Sequence, residues 1–179
     1  MARTPTGGGV LRGALSPEEL SALDLPPLQI TEKIDRLMPL ALEWYNHVEA
    51  SLLPLGRPLT EMELLKARMF GVQNPEQVRI AVLGRFPMPE DPFLRQEAER
   101  FGLGSRAECG RLIGYVIMLK PHYSLSRTVI AHELVHISQH DRLGRAGFLR
   151  RYLIEMEMVG YERSPLEREA YDKQSLWGG

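Results

Sequence analysis

The stretch that determines how this chain folds reads Val129-Ile130-Ala131-His132-Glu133-Leu134-Val135-His136-Ile137. Apolar residues surround the three polar ones, which predicts a helix packed into the protein interior. Each residue of a helix turns the chain by ~100° and raises it by ~1.5 Å. His132 and His136 therefore lie one turn apart on the same face.

This H-E-x-x-H spacing indicates a metal site. Two imidazoles one helical turn apart can reach a single ion, and neutral imidazole is a good ligand for Zn²⁺. Glu133 lies at the edge of the same face, close to a metal-bound water without being a ligand. It could accept the proton of that water while zinc lowers the water's pKa. The motif predicts His132 and His136 as metal ligands and Glu133 as the catalytic base.

A catalytic zinc needs a third protein ligand and an open position for water. His140 continues the i, i+4 series, but on an unbroken helix it lies ~12 Å along the axis from His132. The metzincin pattern H-E-x-x-H-x-x-G-x-x-H also fails, because Gln139 holds its glycine position and Arg142 its last histidine position. The third ligand is therefore expected among carboxylates downstream.

Two downstream glutamates are the candidates. Ser164 and Pro165 read as the N-cap and first residue of a new helix that carries Glu167 and Glu169. These two side chains lie ~200° apart around the helix axis, so only one of them can face the metal. The spacing alone does not choose between them.

The run from Val129 to Asp172 resembles the zincin-like metallopeptidases of the gluzincin group, and within them small uncharacterised bacterial H-E-L-x-H domains. Gluzincins take their third ligand from a second helix, in many cases at the start of an E-x-x-A-[DN] pattern. Glu167 and Ala170 match E-x-x-A, while Tyr171 stands where Asp or Asn would follow. The resemblance thus implies Glu167 as the ligand, with Glu169 as the alternative. It also implies a sheet beside the active helix whose edge strand pairs with an extended substrate. The strand 113 to 119 is the candidate, and the equal alternative is that this strand is internal and contacts no substrate.

Outward from this motif, the pattern predicts an α+β fold with a helical front, a small sheet and a helical back half. Residues 1 to 15 are expected to form a flexible lead-in, and residues 16 to 179 a single zincin-like metallopeptidase domain. Capping signals at Ser16, Thr31 and Thr60 predict three helices, with Pro39 bending or interrupting the second. The remaining predictions are strands over 78 to 83 and 113 to 119, and helices over 93 to 101, 125 to 141, 146 to 159 and 165 to 176.

Composition excludes several other classes. A formal net charge of -1 predicts no strong attraction to nucleic acid or to a membrane. No stretch has the roughly 18 uninterrupted apolar residues of a spanning helix, and the N-terminal residues lack the apolar block of a signal peptide. A cytoplasmic location is therefore expected. The one cysteine, Cys109, excludes an intrachain disulfide and a multi-cysteine zinc cage.

The expected function is zinc-dependent hydrolysis of a peptide bond in a peptide or protein substrate, with narrow specificity. Glu133 would activate a zinc-bound water while His132, His136 and Glu167 hold the metal. The alternative is a zinc-binding scaffold or partner-binding module of the zincin fold without proteolytic activity. Retention of Glu133 favours the enzyme, because a purely structural site needs no base.

Overall fold

A computed structural model of the chain describes residues 13–177. It confirms the predicted α+β class, with seven α-helices and one four-stranded sheet in this range. The helices are α1 Pro17–Asp24, α2 Leu28–Leu52, α3 Glu61–Phe70, α4 Pro92–Arg100, α5 Arg127–Leu143, α6 Arg145–Met158 and α7 Pro165–Gln174. The strands are β1 Arg57–Pro58, β2 Arg79–Val82, β3 Gly110–Ile113 and β4 Val116–Leu119.

The predicted flexible lead-in falls mostly outside the described residues, since 1–12 are not among them. Residues 13–16 form neither helix nor strand. Leu15 nevertheless packs against the buried apolar cluster that α2 and α6 share. Every helix of the described range is too short or too polar to cross a lipid bilayer.

Two of the three predicted N-caps are confirmed as capping boxes. Ser16 accepts a hydrogen bond from the Glu19 amide, and Thr60 accepts one from the Glu63 amide. The predicted cap at Thr31 is wrong, because α2 begins three residues before it, and the predicted interruption at Pro39 is wrong, because the helix runs through this residue. Pro39 is exposed, so water can reach the carbonyl group that the proline leaves without an amide partner.

The predicted strand from 113 to 119 is the turn and second arm of a β-hairpin that begins at Gly110. β3 and β4 pair antiparallel, with Ile113 opposite Val116 across a two-residue turn. Gly114 has a φ of 58°, and the turn is fixed by the Tyr115 amide, which donates to Oε1 of Glu49 at 2.8 Å. A Cβ atom at position 114 would lie 1.9 Å from that oxygen, so this turn requires glycine.

The sheet order is β1-β2-β4-β3, with β2 and β4 parallel and the outer pairs antiparallel. β4 is therefore an inner strand with both neighbours occupied. The expectation that residues 116–119 offer an edge to a substrate is wrong for that reason. Within the described part of the chain, the strand at that edge of the sheet is β3.

The helix α5 is the centre of the molecule. It contacts β3 and β4 as well as α3, α6 and α7, and its residues 129–140 are all buried. A helix surrounded in this way carries apolar residues on most of its circumference, as the quoted stretch does. The most extensive helix pair is α5 with α7, and the candidate site lies at their contact.

Candidate metal centre

Three of the predicted ligands meet between α5 and α7. Nε2 of His132 lies 3.1 Å from Nε2 of His136 and 3.1 Å from Oε2 of Glu167, and the remaining distance, from His136 Nε2 to Glu167 Oε2, is 3.5 Å. Each of the three residues is at most 1% exposed. Their arrangement is one that could hold a metal ion.

The spacing of these atoms fits a tetrahedral ion. Ligands bound to zinc at ~2.0–2.1 Å with tetrahedral angles are separated from one another by about 3.3–3.4 Å. The three observed separations of 3.1, 3.1 and 3.5 Å bracket that value. The ligand set of two imidazoles and one carboxylate is also a set that zinc accepts at catalytic sites.

Hydrogen bonds at the far side of His136 fix its tautomer. Its Nδ1 lies 2.7 Å from Oε1 of Gln139. The amide nitrogen of Gln139 donates to the Leu166 carbonyl at 2.9 Å and to Oε2 of Glu169 at 3.0 Å, so its oxygen must be the atom that faces the ring. Nδ1 of His136 therefore carries the proton and Nε2 presents a lone pair.

His132 is held in a similar way. Its Nδ1 lies 3.1 Å from Oε1 of Gln174, which again directs the Nε2 lone pair into the cluster. Two imidazole lone pairs and one carboxylate oxygen then converge within hydrogen-bonding distance with no proton between them. Three acceptors so placed repel one another, and a cation between them removes the repulsion. The chemistry of the donor set therefore fits a metal ion.

Glu167 is positioned by the start of α7 and by α6. Ser164 caps α7 and accepts a hydrogen bond from the Glu167 amide at 3.1 Å. The Tyr152 hydroxyl donates to Oε1 of Glu167 at 3.0 Å, leaving Oε2 to face the histidines. Glu155 fixes the cap in turn, because its Oε2 accepts from the Ser164 hydroxyl at 2.6 Å and from the Leu166 amide at 3.0 Å.

Glu169, the alternative third ligand, lies outside the cluster. Its carboxylate accepts hydrogen bonds from Arg142 at 2.9 Å, Lys173 at 2.7 Å and Gln139 at 3.0 Å. Partial burial opposes its ionisation, but these three donors lower its pKa to about 2. Glu169 thus contacts the site through Gln139, the residue that orients His136.

The protonation of the cluster favours metal binding. Burial lowers the pKa of His132, so this ring is neutral and its lone pair is available. Burial opposes ionisation of the Glu167 carboxyl, yet its pKa lies well below its usual range, so this group is a carboxylate. His132 thus offers a neutral imidazole and Glu167 a carboxylate, which are the forms that bind zinc.

Glu133 is buried beside His132 and its carboxylate lies against β3. A Cβ atom at Gly110 would come within 3.0 Å of Oε1 of Glu133 and 2.7 Å of Cγ1 of Val129. Position 110 thus requires glycine so that α5 and its carboxylate can approach the strand closely. The neighbouring Cys109 is buried, and burial together with the charge of Glu133 raises the pKa of its thiol to about 12.

His140 takes no part in the cluster, as the spacing predicted. It is buried, and its ring stacks on Tyr45 at a centroid distance of 6.4 Å and packs edge-on against Phe148 at 5.9 Å. Neither ring nitrogen has a hydrogen-bond partner. Burial, followed by the positive charge of Arg145, lowers the pKa of His140. The ring acts here as a neutral core aromatic.

The family resemblance also implies a hydrogen-bond donor for the oxyanion, and the four candidate side chains, Tyr152, Tyr161, His122 and Arg127, occupy different places. Tyr152 is bonded to Glu167, and the Tyr161 hydroxyl lies 2.9 Å from that of Tyr171. His122 is exposed just before α5, and Arg127 is exposed at the first residue of that helix. Of these, Tyr152 has a direct hydrogen bond to a residue of the cluster.

Sequence reasoning missed three residues of the site: Gln139, Gln174 and Tyr171, whose ring packs edge-on against His132 at 4.8 Å. Gln139 could have been found, because a residue at i+3 from His136 lies on the same side of the helix. Gln174 and Tyr171 come from α7, and nothing in the local pattern connects them to His132.

No protein-family model, curated protein or solved structure matches this chain. The case for a function therefore rests on the geometry and chemistry of the site.

Proposed function

We propose that this protein is a zinc-dependent peptidase of narrow specificity, with the zincin-like arrangement in which His132, His136 and Glu167 hold the metal. The observation that carries the proposal is the convergence of two fixed imidazole lone pairs and a carboxylate oxygen in a buried cluster, beside a buried Glu133. Three ligands leave the fourth tetrahedral position open, as catalytic zinc sites do.

Each residue of the site has a distinct part in this proposal. Zinc, when bound, would lower the pKa of water and polarise the carbonyl of a peptide bond. Glu133 takes the proton of the attacking water on its carboxylate and passes it to the leaving amine. Gly110 leaves the space in which that carboxylate sits. Gln139, Gln174 and Tyr152 hold the three ligands in position through their second polar atoms.

The competing function is a zinc-holding scaffold that cleaves nothing. Burial of the site favours it, since the three ligands and Glu133 are each at most 1% exposed. Two observations favour catalysis instead. The described residues supply three ligands where closed structural sites use four, and a structural site has no need of a glutamate directly beside a ligand.

Metal content per chain tests the proposal first. We expect about one zinc in the wild type and in Glu169→Ala, and a loss of most of it in Glu167→Ala. Retention of zinc in Glu167→Ala would refute the ligand assignment. If even the wild type takes up no zinc on reconstitution, the peptidase and the zinc scaffold both fail.

Activity then separates the enzyme from the scaffold. The zinc-loaded wild type is incubated with casein and with a native cell lysate, and new peptide ends are identified by mass spectrometry. A narrow peptidase leaves casein intact and cuts few lysate proteins, and Glu133→Gln abolishes those cuts while zinc stays bound. A wild type that cuts nothing, or cuts that persist in Glu133→Gln, would rule out the role given to Glu133.

A further inference from the structure

An apolar cavity of about 100 Å³ lies against the candidate metal centre at His136. Its wall includes the ring of His136 and that of Tyr152, the residue that holds Glu167. The remainder comes mainly from apolar side chains of α2, α4, α6 and β3. A group bound in this cavity would touch a metal ligand directly.

The cavity is suited to an uncharged occupant. Among the residues that the structure describes, the charged side chains in its wall are those of Glu97 and Arg111. Glu97 is paired with Lys33 at 2.9 Å, and Arg111 is paired with Glu108 at 2.6 Å, so neither charge needs a partner from a ligand. An engineered apolar cavity of about 150 Å³ in another protein stays dry and takes up benzene. A cavity two thirds of that volume matches a branched aliphatic side chain or a small ring.

A second, larger space of about 670 Å³ adjoins this cavity at the surface. It is a groove between α2 and the segment 87–91, and Trp44, Pro89 and Leu94 line both spaces. The shared wall places the groove directly next to the cavity, on its solvent side.

The groove is acidic where the cavity is apolar. Its lining includes the carboxylates of Glu43, Glu90 and Asp91, all exposed, and no lysine or arginine among the residues that the structure describes. The basic side chain that the described part of the chain contributes to this lining is His47. A run of three like charges on one groove attracts a chain of the opposite sign.

We infer that the cavity and the groove form one substrate-binding path, selecting a polypeptide segment with a leucine-sized apolar residue flanked by lysines or arginines. The apolar side chain enters the cavity beside His136, and the basic flanks lie along Glu43 and Glu90. This inference rests on the proposed peptidase function, for which it names the substrate class.

Binding is measured on zinc-loaded Glu133→Gln protein, so that no peptide is consumed. The probe is a dye-labelled nonapeptide with a central leucine, two lysines at each end and alanines between, followed by fluorescence anisotropy. We expect at least tenfold weaker binding when the central leucine is replaced by aspartate, and when the lysines are replaced by glutamates. Equal affinity for all three peptides would overturn the inference.

Protein variants locate the two contacts. Glu43→Gln with Glu90→Gln should weaken binding of the basic probe at least threefold, and the loss should shrink as salt is raised. The matched control is Glu32→Gln with Glu99→Gln, two exposed glutamates of α2 and α4 outside the groove, which should leave affinity unchanged. An equal loss in both pairs would contradict the groove assignment.

Filling the cavity tests the apolar contact. Ala98→Leu places three carbons in the cavity from α4, and Leu149→Phe fills it from α6 if the first variant does not fold. Either variant, shown to be folded by its thermal transition, should bind the leucine probe at least tenfold more weakly. Unchanged affinity would place the apolar residue elsewhere.

The two proposals fail separately. A wild type that cuts peptides without regard to the central residue or its flanks supports the peptidase and overturns the binding path. Peptides bound with the expected preferences but never cut by the wild type support the path and overturn the peptidase.

Discussion

Replacement of Gln139 by leucine should weaken zinc binding without unfolding the protein. Gln139 is completely buried, and its Oε1 is the acceptor that faces Nδ1 of His136 at 2.7 Å. In the metal-free Gln139→Leu variant, His136 can move its proton to Nε2, where Glu167 lies 3.5 Å away. Zinc takes the Nε2 lone pair and forces the proton onto Nδ1, which in Gln139→Leu has no acceptor. The penalty therefore falls on the zinc-bound state.

The size of this effect follows from the burial of the ring. An N–H group left buried without a partner costs about 1–3 kcal/mol, and 1.4 kcal/mol is a tenfold change in an equilibrium constant. We therefore expect zinc affinity to fall by about 10–100-fold, the range found when such outer partners are removed elsewhere. The fold should survive, because Glu169 keeps its bonds to Arg142 and Lys173.

Competition with a chromogenic zinc chelator at pH 7.5 measures this affinity. Gln174→Leu is the matched comparison, since Gln174 holds His132 in the same manner but is only half-buried at the end of α7. Water can replace its oxygen there, so its loss should cost less than about threefold. Wild-type affinity in Gln139→Leu, or a larger loss in Gln174→Leu, would refute the reasoning.

Three further predictions concern Gly110, Cys109 and His140. Gly110→Ala places a Cβ 3.0 Å from Oε1 of Glu133, so peptide hydrolysis should fall by about 100-fold while zinc content stays near one per chain; wild-type rates would contradict the crowding. The Cys109 thiol, with a pKa raised to about 12, should resist iodoacetamide at pH 8 in the native protein and react after unfolding, and rapid native labelling would disprove its burial. Burial lowers the pKa of His140, so the unfolded chain binds the proton first as pH falls below about 6.5, and stability decreases. Thermal unfolding of the zinc-free protein at pH 7.5 and 5.5 should show a smaller loss in His140→Phe than in the wild type; identical losses would exclude this contribution.

The sequence predicts the part of the site whose residues lie close together along the chain, and not the part that a tertiary contact brings together. His132, Glu133 and His136 lie within five residues on one helix, so helical geometry alone brings them together. Glu167 comes from another helix. The spacing did not decide between Glu167 and Glu169 as the third ligand, and the family resemblance alone favoured Glu167. Choosing between them on physical grounds needs the tertiary contact of α5 with α7, which no local pattern contains.

The sheet shows a different limit. Residues 113–119 are a run of mostly apolar side chains, and such a run looks the same whether it is one strand or the end of one strand, a turn and the next strand. β3 and β4 are buried on both faces, so neither shows the alternation that reveals a strand's direction and ends. Gly114 was the only signal of the turn, and the reason it must be glycine is the approach of Glu49 from α2. That contact spans 66 residues of sequence.

The free-energy cost of burying the Glu133 carboxylate favours a catalytic site over a scaffold. Burying a carboxylate in a largely apolar helix environment is unfavourable, and an apolar side chain of similar volume would pack there at no such cost. The chain also forgoes a side chain at position 110, where any Cβ would crowd Val129 and the carboxylate. A scaffold needs neither feature to hold zinc through His132, His136 and Glu167. A catalytic base requires both features. It accepts a proton only from a group within hydrogen-bonding reach, so it must lie close to the metal-bound water.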